Sequence, residues 1–167
     1  MGSEMCIRDS TIIASSTPVL TSKKKLKNQR INVFNRQRKL PVNTHAVISF
    51  LEELADYLEL KEGFTIVLVS DRAMRGYNRR FAGKAETTDV LSFPVEEDYD
   101  ASESYLGDIL ISVERAREQL QSGPLEEEIK LLGLHGVLHL LGYDHQQDSG
   151  EMVALERKIR RDLGLTK

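Results

Sequence analysis

His135-Gly136-Val137-Leu138-His139-Leu140-Leu141-Gly142-Tyr143-Asp144-His145 is the stretch on which the reading of this chain turns. Three of the four histidines in the 167 residues fall inside it. Upstream, Gly123-Pro124 followed by Glu126, Glu127 and Glu128 marks a helix start, with acidic side chains at the positive end of the helix dipole. Ile129, Leu132, His135, Val137, Leu138 and His139 carry that helix to about residue 141, where Gly142 stops it. His135 and His139, four apart, lie one above the other on one face. Gly142 can take φ > 0 and turn the chain back, so His145 can bring a third ring nitrogen to the same point. Three neutral imidazoles with an open fourth position describe a catalytic rather than a structural zinc site. A metal there would lower the pKa of its water toward about 7. A single histidine is more often one satisfied by its neighbours. Three of four, at two spacings that each fit coordination, point to a metal.

The spacing matches a zinc peptidase helix, H-E-x-x-H-x-x-G-x-x-H, except that Gly136 stands where the general-base Glu belongs. A peptidase needs that carboxylate to take a proton from the zinc water. The pattern therefore argues against ordinary zinc proteolysis and leaves a metal-hydrolase scaffold whose base comes from elsewhere.

Working outward, residues 31–34 alternate and read as a short strand. Val47, Ile48, Leu51, Leu54, Ala55 and Leu58 recur at helical spacing behind a cap at Asn43 or Thr44. Residues 64–69 (FTIVLV) form a β-branched run that reads as a buried strand. Ser70 or Asp71 caps a helix with Met74, Tyr77 and Phe81 inward. Residues 89–95 and 105–111 read as two further strands, and Ser112 caps a short helix. Asp148 and Glu151 have the spacing of a capping box ahead of a last helix through Met152, Leu155, Ile159 and Leu163. The expected fold is α+β: one mixed four-stranded sheet packed with helices, carrying a zincin-like metal helix.

The chain is long enough for one domain that folds without disulfides. Its one cysteine, Cys6, excludes an intramolecular disulfide and a cysteine zinc cage. The formal net charge is −3, which excludes a uniformly basic nucleic-acid binder. The balance is uneven: residues 1–40 hold nine Lys/Arg against two Asp/Glu, whereas residues 41–167 hold fourteen against twenty-four. Any polyanion must then be met by local patches. Arg72, Arg75 and Arg79 form such a row at i, i+3, i+7, a candidate phosphate track or simply a solvated helix face. Residues 1–29 are Ser/Thr/Lys-rich without sustained periodicity and are expected to be a disordered or non-native tail, with residues 30–167 as the working domain. Residues 11–20 are weakly apolar but follow acidic Glu4 and Asp9, so no signal peptide is expected, and the cytoplasm is the expected compartment.

Taken together, these residues resemble the YbeY family of bacterial metal-dependent endoribonucleases of ribosomal RNA maturation. The histidine segment carries the resemblance, joined in order by Asn78, Gly83-Lys84, the run from Thr88 to Pro94 (TDVLSFP), Gly107-Asp108-Ile109 and Ser112. It covers about residues 31–165. It implies one zinc per chain on His135, His139 and His145, single-stranded rRNA as substrate, the small ribosomal subunit as partner, and 16S rRNA 3′-end maturation and ribosome quality control as the setting. No segment approaches the roughly 18 consecutive apolar residues of a membrane span, so no membrane partner is expected, and no nucleotide cofactor is expected either.

The family usually carries an Arg directly before Gly-Lys, where this chain has Ala82. A guanidinium there would suit a phosphate. If the helix reaches Ala82, Arg79 shares roughly its face and can stand in. His135 and Arg79 are the expected catalytic residues. Asp89 is a candidate to orient a ligand or a catalytic water, or simply a turn residue at a strand start, and Asp144 to bond the local loop backbone or to hold a ligand histidine, the loop role being favoured. Two other readings stay open: a zinc hydrolase of a non-RNA bond, and a non-catalytic ribosome-assembly factor with a structural metal. Three imidazoles also accept nickel, copper or iron.

Overall fold

The computed structural model describes residues 12–13, 30–95 and 104–165. In chain order the elements are β1 (Ile12–Ile13), β2 (Ile31–Asn35), α1 (Thr44–Tyr57), β3 (Gly63–Val69), α2 (Asp71–Ala82), β4 (Val90–Pro94), β5 (Tyr105–Ser112), α3 (Val113–Gln119), α4 (Leu125–Leu140) and α5 (Glu151–Asp162). The four expected strands are present. Ile12–Ile13 adds a fifth, two residues long, pairing parallel with Leu91 and Ser92 of β4. The rest of the stretch assigned to a tail lies outside the described residues.

The sheet order is β1-β4-β5-β3-β2. β2 and β5 run parallel to β3, and β4 runs antiparallel to β5. β3 and β5 sit in the middle, which is why FTIVLV and GDILI are apolar on both faces. One face, with Ile66, Leu68, Val90, Ile109 and Ile111, packs against α1, α3, α4 and α5 in the larger core. The other face, with Val67, Val69, Leu91, Phe93 and Leu110, packs against Met74, Tyr77 and Phe81 of α2. The sheet therefore lies between α2 and α4.

The caps follow the expected chemistry. Asn43 accepts from the amide of Ala46, Ser70 from Ala73 and Ser112 from Arg115. Leu125 is the first residue of α4, so Pro124 precedes the helix rather than opening it. The start of α5 is shifted. Gly150, at φ 98°, precedes the helix, and Asp148 accepts from the amides of Gly150 (2.7 Å) and Met152 (2.9 Å). Glu151 accepts from Ser149 rather than closing back on Asp148. The two carboxylates still satisfy the free amides, one glycine later than a simple capping box would.

Candidate metal centre

α4 is buried along nearly its whole length, and its two sides do different work. Gly133 and Gly136 face the packed core. A Cβ on Gly136 would lie 2.7 Å from Ile109 Cγ2, and one on Gly133 would lie 3.2 Å from Ile66 Cδ1. Only glycine lets the helix come this close to the sheet. The Ser92 hydroxyl, from β4, donates to the Gly136 carbonyl at 3.2 Å. The same close approach explains the departure from the peptidase pattern: no glutamate side chain fits between α4 and Ile109.

His135 and His139 lie on the flank of α4 that turns toward α5 and the loop that follows. Gly142, at φ 90°, ends the helix. Its amide donates to the His139 carbonyl (3.0 Å) and the Tyr143 amide to the Leu138 carbonyl (3.1 Å), the paired bonds of a Schellman closure. Asp144 then makes a tight turn, its carbonyl accepting from Gln147 and Asp148 and its side chain from the Gln146 amide. This reversal returns His145 to the other two. Ring centroids are 4.8 Å apart for His135–His139, 5.7 Å for His135–His145 and 5.5 Å for His139–His145.

One ligand atom from each ring lies within 4.8 Å of the others. The Nε2 atoms of His135 and His139 are 3.2 Å apart. Two bonds of about 2.0–2.1 Å to one tetrahedral zinc place their nitrogens about 3.3 Å apart. His135 and His139 are 5% and 2% exposed. Both ring nitrogens of His145 and Nδ1 of His139 are buried without a hydrogen-bond partner among the described residues. Burial, reinforced by His135 and His145 nearby, pushes the His139 imidazole down to about 4. It is therefore neutral at pH 7, with a lone pair to offer. Convergent ring nitrogens, with those of His145 and Nδ1 of His139 left unpartnered, are what a metal site offers.

Among the described residues, a fourth side chain joins the cluster that sequence reasoning did not single out. Glu156 of α5 places Oε2 2.9 Å from His135 Nδ1. The sequence carried no sign of it, because Glu156 sits among charged residues of an amphipathic helix and meets His135 only through packing.

Asp89 is buried, but its carboxylate accepts from the Val90 amide (2.9 Å) and from Gln119 Nε2 (3.0 Å) of α3. Those bonds tie the start of β4 to α3. Asp144 holds the loop. Arg72, Arg75 and Arg79 are exposed along α2, on an element packed against the other sheet face from α4. Arg75 lies 3.5 Å from Asp71. α2 runs through Ala82, so Arg79 and Ala82 share its last turn. Phe81 packs edge-on against Phe93 of β4 at 5.4 Å. Leu140 reaches Gly107, which pairs with Pro94 of β4. The C-terminal ends of α2 and α4 thus meet the same end of the β4–β5 pair from opposite faces. Asn78 is buried and donates to the Glu86 carbonyl, clamping the loop after α2.

A family model described as Endoribonuclease YbeY matches residues 28–164. Over 125 residues the chain is 40% identical to Endoribonuclease YbeY of Wolinella succinogenes, covering 74% of this chain and 86% of that protein. Over 117 residues it is 44% identical to Endoribonuclease YbeY of Helicobacter pylori strain Shi470, covering 69% and 81%. The solution structure of TM1509 from Thermotoga maritima superposes with a TM-score of 0.53 at 26% identity, covering 80% of this chain and 88% of that one. With the histidine cluster and the mixed sheet already in place, a match spanning almost every described residue leaves one conclusion: the chain belongs to the YbeY family.

Proposed function

We propose that this protein is a zinc-dependent endoribonuclease that cuts single-stranded RNA, acting in the cytoplasm on 16S rRNA at the small ribosomal subunit during 3′-end maturation and quality control. The convergence of His135, His139 and His145, the first two buried and the last two with unpartnered ring nitrogens, carries the reading. RNA as substrate follows from the family. Among the described residues no helix is long and apolar enough to cross a membrane.

The three histidines would hold the metal, each through one neutral ring nitrogen. A bound zinc supplies Lewis acidity toward a phosphodiester and a nucleophile at neutral pH. The chain's own residues do the rest. Gly136 leaves the peptidase base position empty, which disfavours amide hydrolysis. Arg79, in the last turn of α2, is the residue assigned to the scissile phosphate in place of an arginine at Ala82. Arg72, Arg75 and Arg79 form the track for the strand, supported by the ends of α2 and α4 meeting at one end of β4. Asp144 keeps the His145 loop in register. Residues 30–167 act as the working domain.

Cleavage assays on single-stranded RNA, duplex RNA and peptide, each with and without chelator, test this directly. Chelator-sensitive cutting of single-stranded RNA alone is expected; peptide cleavage, or binding to ribosomal subunits with no cutting of any RNA, would overturn it. Within the same assay, Arg79→Ala should lower cleavage with metal content unchanged, and equal activity in that variant removes Arg79 from the site.

A further inference from the structure

The bond between Glu156 and His135 fixes more than one side chain. Both groups are largely withdrawn from water, with side-chain exposures of 15% and 7%. Glu156 Oε1 also lies 3.9 Å from Arg160 Nη1 on the same helix. Glu156 Oε2 and His135 Nδ1 are 2.9 Å apart, the distance at which an Nδ1–H donates to a carboxylate. In that tautomer the lone pair is on Nε2. That is the atom 3.2 Å from His139 Nε2, on the side where the three rings converge. The histidines are not equivalent: His135 alone is braced by a carboxylate, whereas His139 Nδ1 and both nitrogens of His145 have no partner among the described residues.

We propose that Glu156 is the positioning residue of this centre, a role that rests on the reading of the cluster as a metal site. It holds His135 as the Nδ1–H tautomer and aims the Nε2 lone pair at the point shared with His139 and His145. It also raises the basicity of that nitrogen, and so sets how tightly the centre holds its metal. α5 is thereby part of the site, although none of its residues would touch the metal.

The test uses the full chain, stripped of metal, and titrates Zn2+ against a chromophoric chelator. Glu156→Ala should raise the zinc dissociation constant by about 10- to 100-fold. Glu156→Gln, whose amide oxygen still accepts the Nδ1 proton but lacks the charge, should fall between that variant and wild type. Glu52→Ala, exposed on α1, should match wild type. Imidazole 15N spectra of the metal-free wild type should show His135 protonated at Nδ1. An unchanged zinc constant in both Glu156 variants, or a wild-type His135 protonated at Nε2, overturns the positioning role and leaves the metal centre standing. A wild type that takes up no zinc overturns the metal centre and the role with it. Should Glu156→Ala fail to fold, Glu156→Gln and the wild-type tautomer still decide the matter.

Discussion

Gly136 shows how a single missing side chain can serve both packing and chemistry. It sits between the two ligands of α4, where a Cβ would lie only 2.7 Å from Ile109. Gly136→Ala adds helix propensity worth about 1 kcal/mol. The added methyl must displace Ile109, and overpacking of this kind costs about 1–3 kcal/mol. The variant should therefore unfold at lower urea than wild type, and the penalty of Gly136→Ala should shrink when it is made in an Ile109→Ala background. Equal stability of Gly136→Ala would mean that the helix is not held as close as described. The three histidines were legible in the sequence because the relations that join them are local: a four-residue helical step and a glycine turn. Glu156 was not, since it meets His135 across twenty-one positions and only through the docking of α5 on α4. Asp89 was legible only as an acid at a strand start; its burial and its partner Gln119, thirty positions away, were not.

At the scale of elements, two junctions hold the site. One is the closure of α4. Gly142 at φ 90° lies where a side chain is strained, so Gly142→Ala should cost about 1–2 kcal/mol. It should also weaken zinc binding, because the turn it disturbs is the one that returns His145. Calorimetry and a zinc titration check the two effects separately. The other junction is the start of α2. Asp71 accepts from Thr87 (2.6 Å), Arg115 (3.1 Å) and Ser112 (3.4 Å), joining α2, the loop after it and α3. Burial works to raise this carboxyl, but those bonds and the Arg115 charge outweigh it and hold it below the usual carboxylate range. A lowered folded-state value gives stability that is full above the unfolded value, about pH 4, and is lost as pH falls through the folded one. Asp71→Asn should thus be roughly 1.5–3 kcal/mol less stable than wild type at pH 7. The gap should narrow below pH 4 in urea titrations; a gap independent of pH would contradict the assignment. Helices and their caps were legible here from periodicity and polar residues at their starts. The strand order was not. β2 and β5 join β3 in parallel through long connections, and no local pattern specifies which strands become neighbours. Two residues, Ile12–Ile13, are too few to register as a period at all.

For the molecule as a whole, the charge distribution sets how RNA must be met. Beyond residue 40 the chain is acidic, with fourteen Lys/Arg against twenty-four Asp/Glu, so attraction has to come from a local row of cations. If α2 supplies it, replacing Arg72, Arg75 and Arg79 by Ala should weaken binding of single-stranded RNA. The slope of log affinity against log salt should become shallower by about 0.7 for each phosphate that is no longer neutralised. Binding isotherms at several salt concentrations check this, and an unchanged slope would move the track elsewhere. The centre itself is tested most directly by measuring metal content and single-stranded RNA cleavage together, on wild type and on His139→Ala. Wild type should carry one metal and cut, and the variant should lose both. Cleavage that persists in the variant without metal would contradict the account.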